Sequence, residues 1–200
     1  MGWTSFSTDY CEFNKRGQVD KRATMSREIE SYGDCEVVKS AMAGGNYYAV
    51  VHNVRRDCYY LIVCLTEVKD GEFYYKDMDD TMGPCEKQCP KSILDLADKL
   101  CPCTDEYDPH GYAKAWRDEC RKRLADKDSP TAFRNVGYDE RIEWHVPEDS
   151  TLMMGGDSIA GMTLTLTKVR GRRSWIHKGL HWTRVPTRFV NPNDCKKLAA

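Results

Sequence analysis

The sequence predicts an α+β protein in two parts: an N-terminal antiparallel sheet of three to four strands packed with helices, and a small β-barrel-like (SH3-like) C-terminal module. The first part is predicted by three segments rich in Val, Ile and Tyr that follow one another with short connectors, with helix-like segments on either side. The second is predicted by several short β-like segments separated by Gly, Pro and Asp.

The first elements are a helix and the strands of the sheet. Residues 20–32 predict a helix, with Asp20 as its N-cap and Gly33 as its stop. The predicted strands are 35–43, 46–54, 58–68 and, as a short edge strand, 73–76. Because the connectors between them are short, neighbouring strands should pair as antiparallel hairpins.

Two helices follow the sheet. Pro90 suits the first turn of a helix over 92–100, where apolar residues recur on one face. Asp108 and Pro109 then open a second helix that continues through Leu124. Helices after a run of hairpins predict a layer of helices packed on the sheet.

The C-terminal part reads as a separate module. Residues 127–140 have the composition of a linker, and residues 162–167 alternate between apolar and polar as a half-buried strand does. Short strands of this kind are expected to close into a barrel, because closure removes exposed sheet edges. The predicted division is therefore an acidic α+β domain at 1–126, the linker, and a small basic β module at 141–200.

Charge is distributed unevenly along the chain. The 30 basic and 31 acidic residues nearly cancel, yet residues 158–193 carry seven Lys and Arg and no acid. The first 157 residues carry 30 acids against 21 bases. This asymmetry predicts two regions with different partners.

Composition also excludes some classes of protein. No run approaches the roughly 18 apolar residues of a membrane-spanning helix, so we expect no membrane partner. The first residues lack the charged and apolar segments of a secretory signal. The ten cysteines are therefore expected as free thiols in a reducing cytoplasm.

The cysteines allow more than one interpretation. Cys85 and Cys89, with Cys101 and Cys103 after them, could offer four thiolates to zinc, but the spacing of the second pair departs from that of zinc knuckles. Cys89 precedes a predicted helix whose dipole favours a thiolate, yet no local motif places a histidine beside it. In the other interpretation, Cys85 and Cys89 pack as small buried hydrophobic residues.

A run of acids precedes this cysteine pair. Asp77, Asp79 and Asp80 could bind Mg²⁺ or Ca²⁺ through their carboxylates, but they lack the glycine and glutamate positions of a calcium loop. Acids in a turn need no metal. We assign these three acids, together with Trp3, to a surface for a protein partner.

Cations and aromatic residues interleave over residues 168–188. Arg and Lys neutralise phosphates and Trp stacks on unpaired bases, so this segment predicts a nucleic-acid-binding face. The assigned residues are Lys168, Arg170, Arg172, Arg173, Trp175, Lys178, Trp182 and Arg184. The alternatives are that the tryptophans belong to the core of the module and that the cations bind an acidic protein surface.

Three motifs resemble a family of bacteriophage and mobile-element proteins. They are the start MGWTS, the segment YKDMDDTMGPC-x3-CP at 75–90, and WR-x-x-C at 116–120. The resemblance covers most of residues 1–125 and implies a biological context, the cytoplasm of a bacterial host cell, rather than a chemistry. The middle motif should tie a strand end, a turn at Gly83 and Pro84 and a helix start into one structural junction.

Together these observations predict a non-enzymatic accessory protein. Its acidic domain would bind a host protein or nucleoprotein complex, and its basic module would bind DNA or RNA. The resemblance suggests inhibition of host defence as its role. No catalytic residue and no cofactor are assigned. The alternative is a cysteine-centred enzyme or zinc-binding protein that uses Cys85, Cys89 and Cys120.

Overall fold

The structure is a computed structural model that describes residues 2–84, 86–179 and 182–198. The chain divides into two compact units, residues 1–124 and 125–200, and its fold is α+β. The elements of the first unit are β1 (Thr4–Ser7), α1 (Lys21–Glu30), β2 (Cys35–Ala43), β3 (Asn46–Asn53), β4 (Cys58–Lys69), β5 (Glu72–Asp79), α2 (Lys91–Leu100) and most of α3 (Tyr112–Asp128), whose last four residues belong to the second unit. No helix among the described residues is long and apolar enough to cross a membrane.

The sheet of the first unit has five antiparallel strands in the order β1-β5-β4-β3-β2. The hairpin turns follow the sequence signals: Gly44 and Gly45, and Asp70 and Gly71, all have positive φ, as a two-residue type I′ turn requires. The strand that sequence analysis missed is β1, which pairs with β5 across more than sixty residues. Phe6 is its single large apolar residue, so little in the local pattern marks it as a strand.

Helices cover both faces of this sheet. The helix α1 packs on one face, around Met25, Ile29 and Tyr47, while α2 and α3 pack on the other, around Ile93 and Trp116. The predicted N-cap of α1 is confirmed, since the Asp20 side chain accepts a hydrogen bond from the Ala23 amide at 3.0 Å. Burial on both faces explains why β3 and β4 are almost continuously apolar.

The helix α3 begins later than the sequence predicts. Its first helical residue is Tyr112, yet the Asp108 carboxylate accepts hydrogen bonds from the amides of Ala113 at 3.1 Å and Lys114 at 2.9 Å. Asp108 therefore acts as the cap from four residues before the helix, with Pro109 in the intervening turn.

The second unit is built on a five-stranded antiparallel sheet in the order β11-β10-β9-β6-β12, with a separate two-stranded hairpin. Its strands are β6 (Arg141–His145), β7 (Met153–Met154), β8 (Asp157–Ser158), β9 (Thr163–Lys168), β10 (Ser174–Lys178), β11 (Trp182–Pro186) and β12 (Cys195–Lys197). Over residues 2–84, 86–179 and 182–198 none of the sheets is closed into a barrel, which corrects the expectation of a barrel-like module.

Loops cover the apolar face of this sheet, so its core is buried without closure of the strands into a barrel. Val136, Val146, Ile159 and Val190 come from loops and pack on the strand residues of the core. Phe133 packs against the same cluster, so the segment expected to be a linker supplies core residues. The opposite face of the sheet carries the polar residues of the alternating pattern.

Candidate functional site

The junction motif is built around a buried ion pair. Asp80 lies in the short 3₁₀ helix Asp80–Met82 that follows β5, and its side chain is fully buried. The Arg117 Nε of α3 donates to Asp80 Oδ2 at 2.7 Å, and the Tyr107 hydroxyl donates to Asp80 Oδ1 at 2.7 Å. Burial raises the pKa of the Asp80 carboxyl, and the hydrogen bonds from Arg117 and Tyr107 oppose that rise.

The rest of the Arg117 guanidinium is also satisfied. Its Nη1 donates to the Cys101 carbonyl oxygen at 3.0 Å and to Asp98 Oδ1 at 3.2 Å. Arg121, one turn further along α3, pairs with Asp98 and with Asp95. Asp80 therefore joins the 3₁₀ turn to α3 inside the unit, where a partner protein cannot contact it.

The same junction connects the motifs that carry the family resemblance. The indole Nε1 of Trp116 donates to the Glu86 carbonyl oxygen at 2.9 Å, so the WR-x-x-C motif binds the YKDMDDTMGPC-x3-CP segment through two adjacent residues. A signal for Arg117 was present in the sequence. With Ala113, Trp116 and Cys120 it lies in the apolar stripe of α3, and a charge there indicates a buried partner.

Two cysteines of the junction are buried in the core. Cys89 and Cys120 both lie in the cluster that packs the sheet on α2 and α3, and burial raises the pKa of each thiol. Cys85 lies outside the described residues. Within the residues that the structure does describe, no group of three or more His, Cys, Asp or Glu side chains is arranged to hold a metal ion. Neutral buried thiols are typical of structural packing rather than of nucleophiles.

Thiol labelling tests this interpretation. We expect Cys58, which is exposed, to react with iodoacetamide at least about tenfold faster than Cys89 and Cys120 in the native protein at pH 7.5, because alkylation needs an accessible thiolate. Peptide mapping by mass spectrometry over a time course measures the order of reaction. Labelling of Cys89 or Cys120 ahead of Cys58 would support the cysteine-centred alternative instead.

The other residues assigned to a protein partner lie at one edge of the first sheet. Asp77 is exposed and Asp79 half-buried, both on β5, and Trp3 directly precedes β1 with about half of its surface exposed (54 %). Asp79 also caps the following turn, since its Oδ1 accepts from the Thr81 amide at 2.8 Å. The structure thus places Trp3, Asp77 and Asp79 at the surface and Asp80 in the interior.

Several residues assigned to nucleic acid have structural roles. Trp175 is buried (1 % exposed) in the core of the second unit, with its ring edge-to-face with Phe133 at 4.8 Å. Lys168 donates to the Val136 carbonyl oxygen at 2.8 Å and lies over the rings of Phe133 and Tyr138. These two side chains therefore hold the loop 129–140 on the sheet, and the Trp175 ring is not available to stack on a base.

The other assigned cations are exposed. Arg170 lies over the exposed Tyr138 ring at 5.2 Å, and Arg172 and Arg173 are exposed in the turn between β9 and β10. Lys178 and Arg184 are exposed on β10 and β11. The side chain of Trp182 lies outside what the structure describes, although its backbone pairs with Lys178.

Strand register brings two arginines, a threonine and an isoleucine into a row across four strands. Arg184 pairs with Ile176, Ile176 with Thr167, and Thr167 with Arg141, across β11, β10, β9 and β6. Because neighbouring strand residues alternate between faces, this row lies on the face opposite to Trp175 and the core. We call this surface the outer face: Arg141, Glu143, His145, Thr163, Thr165, Thr167, Ile176, Lys178, Arg184 and Lys196.

Sequence reasoning missed two cations of the outer face, Arg141 and Lys196. A signal for Arg141 was available: in residues 141–145 the apolar Ile142 and Trp144 alternate with Arg141, Glu143 and His145, as in a half-buried strand. Lys196 lies on the short strand β12, whose pairing with β6 joins distant parts of the unit and leaves no local pattern.

Comparison with known proteins yielded no matching family model, no matching curated protein and no matching solved structure.

Proposed function

We propose that this chain is a non-enzymatic accessory protein of a phage or mobile element that binds nucleic acid through the outer face of its second unit. The observation that supports this most is the exposed sheet face itself, which presents Arg141, Lys178, Arg184 and Lys196 with Glu143 as its single acid. The cationic turn at 170–173 extends the same positive charge beyond the ends of β9 and β10.

The chemistry favours contacts with the phosphate backbone. Arg and Lys neutralise phosphates, and the hydroxyl of Thr163, which is exposed on β9, is a hydrogen-bond donor of the kind that contacts phosphate and sugar oxygens. Base stacking through Trp175 is not part of the proposal, because that ring is buried in the core. Binding should therefore depend strongly on salt and weakly on sequence.

The first unit is the proposed site for a host protein or nucleoprotein complex, and inhibition of host defence is the proposed role. Its excess of acids over bases and the surface position of Trp3, Asp77 and Asp79 support this half of the proposal. We do not propose the cysteine-centred alternative, since burial disfavours the thiolate at Cys89 and Cys120.

Salt-dependent binding tests the nucleic-acid half. We expect fluorescently labelled 20-nucleotide DNA and RNA, single- and double-stranded, to bind at 50 mM salt and to be released as salt rises. Removing two phosphate contacts in the double variant Arg141→Gln/Arg184→Gln should flatten the slope of log K against log salt by about 2 and weaken binding at 50 mM salt about tenfold or more. Fluorescence anisotropy measures both quantities.

A matched variant separates the outer face from overall charge. Lys99 and Lys122 are exposed cations on α2 and α3, so Lys99→Gln/Lys122→Gln removes the same charge from the first unit. We expect that variant to bind as the unaltered protein does. Equal weakening by the two double variants would show non-specific charge attraction, and no binding of any probe at 50 mM salt would refute the nucleic-acid half.

A further inference from the structure

The strand β5 is only partly covered by β1 at one edge of the first sheet. The strand β1 pairs with β5 only from Glu72 to Tyr75, whereas β4 pairs with β5 as far as Asp79. Within the described part of the chain, no strand pairs with residues 76–79 on the side of β1. Such an edge presents backbone donors and acceptors that an extended segment of another chain can pair with.

A cleft of about 300 Å³ lies beside this open edge. Asp77 and Asp79 line it together with apolar and aromatic side chains, among them Tyr32, Tyr60, Ile62 and Met82, and no cation among the described residues lines it. The cleft lies on the face of the sheet that α1 covers, where Ile29 of α1 borders it. An adjoining cleft of about 360 Å³ shares Tyr60 and Asp79 with the first, and Arg56 lines this second cleft.

In the part of the chain that the structure describes, the acids of this cleft are not held in ion pairs. Among the described residues, neither Asp77 nor Asp79 forms an ion pair, and the one recorded hydrogen bond to their carboxylates comes from the Thr81 amide. By contrast, Asp80 next to them is fully paired inside the unit. The cleft therefore combines two carboxylates outside any described ion pair with aromatic rings and apolar surface.

Exposed apolar side chains flank the same edge. Met82 follows the end of β5 and is about half exposed (54 %), and Trp3 precedes β1, whose first residue pairs with Tyr75 at the start of the open edge. Large apolar groups at the surface beside unpaired strand backbone indicate a protein-binding surface more than a small-molecule site.

We propose that the open edge of β5 and the cleft beside it bind an extended basic segment of a partner protein, which pairs with residues 76–79 and places an arginine side chain between Asp77 and Asp79. Charge complementarity selects this occupant, since an arginine offers a planar fork of donors to carboxylates, stacks on tyrosine rings and lays its aliphatic stem on Ile62 and Met82. This inference specifies the site of the proposed host-protein interaction and rests on that half of the proposed function.

Peptide binding tests the proposal directly. The probe is the labelled peptide acetyl-VRVRV-amide, with a second peptide in which citrulline, a neutral isostere, replaces arginine, and a third that carries N-methyl groups on alternate backbone amides. We expect the arginine peptide to bind the full chain about tenfold more tightly than the citrulline peptide at 50 mM salt, because the neutral citrulline cannot form the two charge-assisted contacts with Asp77 and Asp79. The N-methylated peptide should also bind more weakly, because it cannot complete the strand pairing.

Two double variants locate the effect. Asp77→Asn/Asp79→Asn keeps the size of both side chains and the capping ability at position 79, and it should abolish the preference for arginine over citrulline. Glu36→Gln/Glu67→Gln removes two exposed acids whose register places them on the opposite face of the same sheet, and it should leave that preference intact.

The outcomes are decisive in either direction. Equal affinity for the arginine and citrulline peptides, unchanged binding by Asp77→Asn/Asp79→Asn, or equal weakening by Glu36→Gln/Glu67→Gln would each overturn the arginine site, and full affinity of the N-methylated peptide would overturn the strand pairing. The nucleic-acid assay on the same variants separates this result from the other half of the proposed function. Asp77→Asn/Asp79→Asn should retain full nucleic-acid binding. If the unaltered protein binds the arginine peptide as expected but no nucleic acid, only the nucleic-acid half of the proposed function is refuted.

Discussion

Replacing Arg117 with methionine is expected to lower the free energy of unfolding of the first unit by about 3–5 kcal/mol at pH 7.5, because it leaves a buried carboxylate without its partner. Asp80 is fully buried, and Arg117 and Tyr107 are its hydrogen-bond donors among the described side chains. Methionine fills a similar volume, so the loss reflects the uncompensated charge more than a cavity. Urea denaturation followed by circular dichroism measures the change.

The matched control is the neighbouring arginine. Arg121→Met makes the same substitution one turn further along α3, at a side chain that is about one third exposed and pairs with Asp95 and Asp98. Ion pairs that are exposed to this degree typically contribute about 1 kcal/mol or less. A similar loss of unfolding free energy in both variants would mean that burial does not increase the contribution of the Asp80–Arg117 pair to stability.

The pH dependence of the Arg117→Met variant identifies the cause. The folded-state pKa of Asp80 is raised by burial, and removing Arg117 should raise it further. A raised folded-state pKa means that folding favours the protonated acid, so stability recovers as pH falls and the carboxyl takes up a proton. The deficit of Arg117→Met relative to the unaltered protein should therefore be smaller at pH 5 than at pH 8.

Removing both charges should restore part of the stability. In the double variant Asp80→Asn/Arg117→Met no charge is buried at the site, and Tyr107 can still donate to the asparagine oxygen. Because the two substitutions act on the same contact, their effects should not add. We expect the double variant to be more stable than Arg117→Met alone. Additive losses would indicate that Asp80 and Arg117 stabilise the fold independently.

Replacing Trp175 with alanine is expected to destabilise the second unit by about 3–5 kcal/mol, because it removes a large buried side chain from the core. Trp175→Phe should cost much less, since a ring remains to pack edge-to-face against Phe133 and no buried indole N–H is left to satisfy. Thermal unfolding followed by circular dichroism measures both variants.

The same pair of variants distinguishes a core tryptophan from a base-stacking one. Stacking of a base on an exposed ring contributes about 1–3 kcal/mol, so a binding role would show as weaker affinity for single-stranded probes. We expect Trp175→Phe to fold and to bind nucleic acid as the unaltered protein does. If Trp175→Ala kept its stability but lost affinity, the ring would have to be reassigned to the binding surface.

Several elements were predictable because their signals are local. Asp20 caps α1 through an amide three residues away, and positive-φ residues at 44–45 and 70–71 fix two hairpins. The alternation of residues 162–167 correctly marks β9 as half-buried, and Pro90 directly precedes α2. Each of these features depends on residues that are near neighbours in the chain.

The candidate sites were predictable only in part. Composition alone located the acidic and basic regions, and three of the four residues assigned to a protein partner lie together at one sheet edge. The sequence predicted only part of the outer face, because Arg141 and Lys196 come from strands that pair with distant segments. The open edge of β5 depends on where β1 stops pairing, and nothing in the local sequence of residues 76–79 indicates it.

The amino-acid pattern thus accounts for the α+β class, the hairpins, the helix caps and the separation of charge, all of which depend on spacings of a few residues. Long-range packing settles the rest: the fifth strand of the first sheet, the open form of the second, and which of two adjacent residues, Asp79 or Asp80, is available to a partner. The reason is that burial is a property of contacts between distant segments. Asp79 and Asp80 are adjacent in the chain, yet Asp79 reaches the surface while Asp80 is buried against Arg117 and Tyr107, and it is the packing of α3 and of the segment before it that distinguishes them.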